Sequence, residues 1–269
     1  MEFKETVGNR RTIRYFQPDR PVEKAKVQKI LEAARLQSQH GNAQLVRKAV
    51  VVTKGETPDD VRNGLIDALY NQPQAAQAPV AIVWVQDMSG WKPFKENLMN
   101  LMKANALPTG YGWSEDFIDN TDNAVLATED FNISVNPNPH FAEWLTSFEC
   151  GLAVGSALLA AVDEGLGTGL ITGRREEIRK LFNMPETCTP TQVQLVGYAA
   201  ENLDGGGGGA CPRPDFGDLY FADTWGNALP RDPQVVEELK AAKLLQPEGP
   251  HLWRKAELNA LAGMFGLPE

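Results

Sequence analysis

The spacing of apolar residues along the chain predicts most of its helices. Between residues 23 and 36, apolar side chains recur every three or four positions, which is typical of a helix with one buried face. The longest predicted helix is Phe141–Glu164, and after Glu149 its apolar residues occupy every face, as expected of a helix buried on all sides. Its small residues Gly151 and Gly155 would let another element approach closely. Shorter helices are predicted at 61–70, 94–103, 176–182, 234–245 and 252–265.

Short, continuous apolar runs predict the strands. Ala49–Thr53 and Val80–Val85 are rich in β-branched residues, which is typical of strands buried on both faces. Two more strands are predicted, one at Val193–Ala200 and one within Gly165–Gly173. Since helices and strands alternate along the chain, we expect a mixed α/β domain with a sheet covered on both faces.

The length of 269 residues allows one to two domains at about 150 residues each, and we expect a single domain over 1–269. Residues 86–140 break the pattern, because they are rich in Gly, Pro, Asn and Asp and carry scattered aromatic side chains. A segment of this length is either functional or a surface excursion that packs on itself. Residues 220–269 are predicted to form a C-terminal helical extension.

The charge balance excludes some classes of partner. With 26 Lys and Arg against 35 Asp and Glu, the net charge is −9, which argues against a nucleic-acid binder or a protein of anionic membrane surfaces. No Lys or Arg lies between Ala104 and Gly173, although ten acidic residues do. This stretch is either a solvated acidic face or a negatively charged surface that repels anionic substrates from a nearby pocket.

Cysteine and histidine give no sign of a disulfide framework or a metal site. The three cysteines are an odd number without C-x-x-C spacing, and the three histidines lack metal-ligand spacing. The first residues lack the apolar core of a signal peptide, and the longest uncharged apolar run, Cys150–Val162, is too short to cross a bilayer. We therefore expect a soluble, reduced, cytoplasmic protein without a bound metal.

Three segments are candidates for chemistry. Arg10–Arg14 places three guanidinium groups and a hydroxyl within five residues, which suits a phosphate, although it also fits an exposed basic segment. Gln37–Gln44 is rich in amides and hydroxyls and could contact a heterocycle, or it is an ordinary polar loop. Gly165–Gly173 is rich in glycine, but a helix precedes it and a strand follows, the reverse of a dinucleotide-binding fingerprint. Neither a P-loop nor a G-x-S-x-G nucleophile elbow is present.

The order of these segments resembles the nitroreductase family. The opening part combines Arg10-Arg11-Thr12-Ile13-Arg14, a helix, Gly41-Asn42-x-Gln44 and a Val-rich strand. The later part combines a long apolar helix, Gly165-Leu166-Gly167, Ile171-Thr172-Gly173, a short helix and Leu195-Val196-Gly197-Tyr198. The resemblance covers residues 5–85 and 141–215.

The resemblance implies an α+β fold with a central mixed sheet covered by helices, an intertwined homodimer and FMN bound non-covalently at the dimer interface. It assigns the phosphate and ribityl chain to Arg10, Arg11, Thr12, Arg14 and Arg213. It assigns the flavin ring to a loop of the same or the partner subunit with Gln39, His40 and Asn42. It assigns the pyrimidine edge to Asn71 and Gln74. It places Leu170, Ile171, Thr172 and Gly173 against the ring, where their backbone N–H groups face the flavin.

The implied activity is hydride transfer from NAD(P)H to FMN and then to a nitroaromatic, a quinone or another small electrophile in the same pocket, by ping-pong kinetics. The chemistry would lie on flavin N5, so no protein residue is expected to act as the catalytic acid or nucleophile, and residues 86–140 would form a lid over the site. The chain departs from the family in having Ser38-Gln39 for Pro-Ser, Leu45-Val46 for Pro-Trp and Gln74 for a frequent Lys. These departures keep three alternatives open: reductive dehalogenation, a biosynthetic dehydrogenation, and a non-catalytic flavin-binding protein.

Overall fold

The computed structural model describes residues 2–39, 45–107, 114–116, 141–200 and 212–248. Its centre is a sheet of four strands in the spatial order β1-β2-β4-β3. The strands are β1 (Arg47–Thr53), β2 (Val80–Asp87), β3 (Gly167–Ile171) and β4 (Cys188–Gly197). All four predicted strands are therefore confirmed.

Nine helices surround this sheet within the described ranges. They are α1 (Phe3–Asn9), α2 (Lys24–Arg35), α3 (Asp59–Ala68), α4 (Pro73–Gln77), α5 (Phe94–Lys103), α6 (Phe141–Asp163), α7 (Arg175–Leu181), α8 (Phe216–Leu219) and α9 (Pro233–Ala241). A 3₁₀ turn, Met88–Trp91, joins β2 to α5. The predicted helix at 252–265 and the glycine run at 205–209 lie outside the described residues.

The strand pairs are antiparallel, which refines the expectation of a mixed sheet. Strands buried on both faces have the same apolar pattern in either direction, so the sequence pattern does not distinguish the two arrangements. Strand β2 is buried along its whole length and pairs with β1 on one side and β4 on the other. A parallel bridge between Thr12 and Thr168 adds the N-terminal segment to the outer edge of β3.

Helices cover both faces of the sheet, as predicted. On one face, Leu65 of α3 and Ile178 of α7 belong to the same core as Val83 and Leu195. On the other face, Ile30 of α2 and Ala157 of α6 pack with strand residues of β2 and β4. Each face thus buries a continuous apolar layer that fixes the strands and the loops at their ends.

A buried amide links α6 to three strands. The Gln194 side chain is fully buried; its Nε2 donates to Thr168 Oγ1 at 3.1 Å and to Ala157 O at 3.3 Å. Its Oε1 accepts a hydrogen bond from Trp84 Nε1 at 3.1 Å. Because every polar atom of the amide has a partner, its burial is compatible with a stable core.

One side of α6 is open, so the expectation of burial on all sides is wrong within a single chain. Trp144, Phe148 and Leu152 are 57%, 54% and 37% exposed. A Cβ atom built on Gly151 or Gly155 would meet nothing within 4 Å. These five residues, spaced at i, i+4, i+7, i+8 and i+11, form a continuous stripe, which we call the open stripe of α6.

By length and composition alone, the Glu143–Asp163 segment is apolar enough to cross a membrane, since an 18-residue window within it has a mean hydropathy of 1.6. Core helices of soluble proteins have the same property, and the opposite side of α6 packs against α2 and the sheet through Ala153, Ala157 and Ala161.

Candidate functional site

The Arg10–Arg14 segment lies along the outer edge of β3. Ile13 N donates to Thr168 O at 2.9 Å, and Ile13 is buried in the core below. A Cβ atom on Gly169 would lie 3.1 Å from Ile13 O, so the two backbones are in close contact. Anchoring Ile13 leaves Thr12 exposed and keeps Arg10, Arg11 and Arg14 half-buried beside the strand. The structure thus brings two of the predicted cofactor-binding segments together.

The end of α3 packs against the turn that follows β3. Tyr70 and Asn71 both have left-handed backbones, with φ of 60° and 52°, which is uncommon for two successive residues other than glycine. Asn71 Nδ2 donates to Asp67 Oδ1 at 3.1 Å, and Asp67 Oδ2 accepts from Arg174 Nη2 at 2.6 Å. Asn71 is therefore linked, through Asp67, to the turn that follows β3.

Gly173 allows this close approach. A Cβ atom at Gly173 would lie 2.5 Å from Ala68 O, and the next residue, Arg174, donates its backbone N–H to the same oxygen at 2.9 Å. The turn at Thr172–Gly173 is therefore packed tightly against the end of α3. The guanidinium of Arg174 also lies 5.1 Å from the centre of the Tyr70 ring.

The other predicted cofactor-binding residues differ in which of their groups a ligand could reach. The Ile171 side chain is buried in the core beneath α3 and α7, so only its backbone is available at the strand edge. Leu170 points to the opposite face, where α6 packs. Gln74 is 6% exposed, and its Nε2 donates to Gln72 Oε1 at 2.8 Å. Arg213 is exposed, and its described hydrogen bond goes to Pro212 O, so the described contacts do not join it to Arg10–Arg14.

Gln39 lies at the other edge of the sheet, beside β1. Arg47 Nη2 donates to Gln39 Oε1 at 3.2 Å and to Gln37 O at 2.9 Å, and Arg47 Nη1 donates to Ser38 O at 3.1 Å. Burial lowers the pKa of Arg47, although the nearby charge of Glu149 opposes the shift. His40 and Asn42 lie outside the described residues. Three strand spacings separate β1 from β3, roughly 14 Å, so within one chain Gln39 is far from the β3 edge.

A cavity of about 750 Å³ lies between α6 and the sheet. Its lining includes Gln86 of β2, Leu170 of β3, Ser147 and Cys150 of α6, and Arg175 at the start of α7. Leu170 is the one predicted cofactor residue in this lining. Since the cavity reaches from β2 to β3, it lies on the sheet face between the β1 edge, where Gln39 lies, and the β3 edge.

Cys150 behaves as a core residue in this cavity. It is 5% exposed, and burial raises the pKa of its thiol to about 11, against which the positive charge of Arg47 acts. The thiol is therefore neutral at pH 7 and poorly suited to nucleophilic chemistry. Within the described ranges, no three His, Cys, Asp or Glu side chains are grouped so that they could hold a metal ion.

Two organising residues were not predicted from the sequence. Arg47 holds the Gln39 loop, and Arg174 joins the turn after β3 to the end of α3. The sequence marks both positions: Arg47 stands at the start of a Val-rich buried strand, and Arg174 is the first Lys or Arg after the 104–173 stretch.

Comparison with known proteins identifies the class to which this site belongs. The model of the nitroreductase family matches residues 7–198. The chain therefore belongs to the nitroreductase family, and its fold is the nitroreductase fold. Comparison with curated proteins gives no match.

Solved structures agree on the fold. A nitroreductase-family protein of Exiguobacterium sibiricum in complex with FMN is 20% identical, with a TM-score of 0.65 over 83% of this chain and 98% of that one. NfrA1 of B. megaterium is 22% identical, with a TM-score of 0.56 over 99% of this chain and 93% of that one. A Staphylococcus epidermidis protein named as an NAD(P)H:FMN oxidoreductase is 13% identical, with a TM-score of 0.63 over 81% of this chain and 94% of that one.

Proposed function

We propose that the protein is an FMN-dependent oxidoreductase that uses NAD(P)H to reduce small electrophilic acceptors such as nitroaromatics and quinones. Two observations in a nitroreductase-family chain carry the proposal together: the Arg10–Arg14 segment lies against β3, and the end of α3, which carries Asn71, packs against the Thr172–Gly173 turn after the same strand. The FMN complex of the Exiguobacterium sibiricum protein and the name of the Staphylococcus epidermidis protein support the choice of cofactor and reductant.

The donor chemistry of this edge fits FMN. Three arginines within five residues match the oxygens of a phosphate dianion, with the Thr12 hydroxyl beside them for the ribityl chain. Among the described residues, no further strand pairs with β3 beyond the bridge at Thr168, so its outer backbone groups can serve a ligand. We assign the flavin ring to Leu170, Ile171, Thr172 and Gly173, the pyrimidine edge to Asn71 and Gln74, and a second phosphate contact to Arg213.

We further propose that the working unit is a homodimer. Gln39 lies on the opposite edge of the sheet from Arg10–Arg14, and in a homodimer the Gln39 loop of one chain would face the flavin held by Arg10–Arg14 of the other. The open stripe of α6 offers an apolar surface for the partner, with two glycines that permit close approach of the backbones. In this arrangement Gln39, His40 and Asn42 come from the partner subunit.

When bound, FMN supplies the centre that takes a hydride from NAD(P)H and passes it to the acceptor. The role of the protein is to bind, orient and exclude water. The arginines would hold the phosphate, and the backbone of β3 would face the ring. Residues 86–140 would cover the pocket as a lid, and of these 108–113 and 117–140 lie outside the described residues. A single pocket shared by NAD(P)H and the acceptor gives ping-pong kinetics, and we place this activity in the cytoplasm.

A second candidate keeps FMN but changes the reaction to reductive dehalogenation or a biosynthetic dehydrogenation. The observation that favours it is Gln74, a buried neutral amide tied to Gln72 at a position where the family often has a lysine. Without a cation at the pyrimidine edge, the reduction potential of the flavin would differ.

The experiment is an anaerobic titration of the purified, FMN-loaded protein with NADH and NADPH, followed by a panel of acceptors. The proposal predicts that the flavin absorbance is bleached and then restored by a quinone or a nitroaromatic. Bleaching that only halogenated acceptors reverse would favour reductive dehalogenation, and a flavin bleached by a saturated organic substrate but not by NAD(P)H would favour a dehydrogenation. A flavin that neither NAD(P)H nor an organic substrate bleaches would contradict both candidates and indicate a flavin-binding protein without this activity.

A further inference from the structure

The C-terminal part of the described chain returns to the first helix. Lys243 Nζ forms an ion pair with Glu5 Oε1 at 2.8 Å, and Gln246 Nε2 donates to Asn9 Oδ1 at 2.7 Å. Residues 212–248 contain no buried side chain, so this region lies on the surface of the core. We call residues 243–246 the docking segment, because their contacts tie this outer region to α1.

Gly8 is the point at which the docking segment fits against α1. Gly8 lies within α1, a position where glycine is unfavourable for the helix itself. A Cβ atom built on it would lie 1.8 Å from Lys243 O and 3.0 Å from Leu244 Cα. No side chain can occupy position 8 while the segment is docked. Gly8 is buried in consequence, and the contact is one of backbone against backbone.

The docking segment also contacts Arg11 directly. Arg11 Nη2 donates to Gln246 Oε1 at 2.6 Å, while Arg11 Nη1 donates to Gly8 O and to Arg10 O, the latter at 3.1 Å. Three acceptors on two nitrogens fix the plane of the guanidinium. One of the three comes from a residue 235 positions further along the chain.

We infer that Gln246 is a positioning residue for Arg11 and, through it, for the phosphate of the flavin. This inference rests on the proposed function, which assigns Arg11 to the phosphate. An arginine side chain has many rotamers, and holding it in one of them before the ligand arrives reduces the entropy lost on binding. The docking segment therefore preorganises the phosphate site while contributing no ligand of its own.

The test compares FMN with riboflavin, which has the same ring and ribityl chain but no phosphate. Gln246→Met keeps the volume of the side chain and removes the acceptor for Arg11. We expect it to weaken FMN binding about tenfold, ~1.4 kcal/mol, and to change riboflavin binding less than about twofold. Quenching of flavin fluorescence by the apoprotein measures both dissociation constants. The matched control is Gln234→Met, since Gln234 lies in α9 and its side-chain Nε2 donates to Glu238 Oε1 of the same helix at 3.3 Å.

A second variant reaches the same contact from the other side. Gly8→Ala places a methyl group where Lys243 O lies, so it should displace the docking segment and produce the same selective loss of FMN affinity. Equal loss of FMN and riboflavin affinity in Gln246→Met would show a general structural role and overturn the inference. Unchanged FMN affinity in both variants would also overturn it.

The proposed function and this inference fail in distinguishable ways. A wild-type protein that binds FMN no more tightly than riboflavin would overturn the phosphate site and the inference together. A wild-type protein that prefers FMN, and loses that preference in Gln246→Met, supports the inference even if NAD(P)H fails to bleach the flavin. The failure of NAD(P)H to bleach the flavin would contradict only the proposed activity.

Discussion

At the scale of single residues, Asp87 ties three parts of the chain together at the end of β2. Its side chain is almost fully buried and accepts hydrogen bonds from Ser89 N at 3.0 Å, Ser89 Oγ at 2.7 Å and Thr187 Oγ1 at 2.9 Å, with Lys48 as its ion-pair partner. Burial alone would raise the pKa of Asp87, but the hydrogen bonds from Lys48, Ser89 and Thr187 outweigh it. The pKa therefore lies well below the usual value of 3.8.

Asp87→Asn should lower the free energy of unfolding at pH 7 by about 2–3 kcal/mol, because it removes a buried, paired charge. The native state binds the proton less tightly than the unfolded chain, so the ionised carboxylate stabilises the fold above the ordinary pKa. That contribution is lost as the pH falls below the ordinary pKa of the unfolded chain towards the lower pKa of the folded protein. Urea unfolding at pH 7 and near pH 3 checks both points, since the difference between wild type and variant should shrink on acidification. Asp19→Asn is the control: its carboxylate is 94% exposed, so its pair with Lys54 should contribute little.

Arg14 tests the phosphate site without disturbing the docking segment. Arg14→Ala should weaken FMN binding about tenfold or more, through the loss of roughly 1.5–3 kcal/mol of charge-assisted hydrogen bonding. A flavin titration measures the change. Arg35→Ala removes an arginine from an exposed pair with Glu32 on α2 and should leave the affinity as it is. Equal affinities for all three proteins would place the phosphate elsewhere.

At the scale of elements, the open stripe of α6 is the feature that one chain leaves unexplained. Trp144 and Phe148 stack on each other with ring centres 6.1 Å apart while both remain more than half exposed. Apolar surface of this kind, next to two uncovered glycines, is typical of an interface.

Phe148→Asp should therefore convert a homodimer into monomers or a weak dimer, because it places a charge in the centre of the apolar stripe. Light scattering should give twice 29.5 kDa for the wild type and a lower mass for the variant. Phe3→Asp is the matched control, since Phe3 is 69% exposed on α1. A wild type that is monomeric with flavin fully bound would contradict the model of a site shared by two chains.

The elements that the sequence predicted well are those with a strong apolar period. The helix predicted at 94–103 has those bounds, and α2, α3 and α7 begin and end within two residues of the prediction. By contrast, β4 begins at Cys188 and not at Val193, because Cys188–Gln192 is mostly polar and its pairing with β2 is what makes it a strand. Helix α1 was missed since its sequence is polar and contains Gly8, and the docking segment packs against it.

The candidate site was predictable only in its local parts. The cluster of arginines at 10–14 and the glycine-rich turn at 165–173 are visible in the sequence, and their resemblance to a known family suggested that they act together. Their adjacency depends on one bridge, Thr12 to Thr168, across 156 positions of chain. The arrangement of Asp67, Asn71 and Arg174 depends on side-chain contacts between two separate elements, which no local pattern encodes.

At the scale of the whole molecule, the uneven charge of the chain remains to be explained. The described acids of the 104–173 stretch are dispersed: Glu149 is buried, Glu164 pairs with Lys29 at the far end of α6, and Glu143 lines the cavity. Arg175 lines the same cavity and carries the opposite charge. The local charges thus partly offset each other, while the net charge of −9 acts on any ligand that approaches.

We expect neutral aromatic acceptors to be reduced with a kcat/KM at least about threefold above that of carboxylated analogues of similar size and potential, because the net negative charge slows the approach of anions. The difference should shrink as salt is added, since at 0.1 M ionic strength exposed charges more than about 10 Å apart are largely screened from each other. Steady-state kinetics with matched pairs of nitroaromatics at low and high salt measure it. Equal values at low salt would contradict this electrostatic steering and identify the acidic stretch as a solvated face.

The central claim is that one edge of this sheet binds FMN, and the identity of the flavin tests it most directly. The protein is purified, loaded with a mixture of FMN and FAD, washed and denatured, and the released cofactor is identified by mass spectrometry. The account predicts FMN at one per chain, because Arg10–Arg14 forms a single compact phosphate site and no dinucleotide-binding fingerprint is present for an adenylate half. Release of FAD, or a protein that retains no flavin after loading, would contradict it.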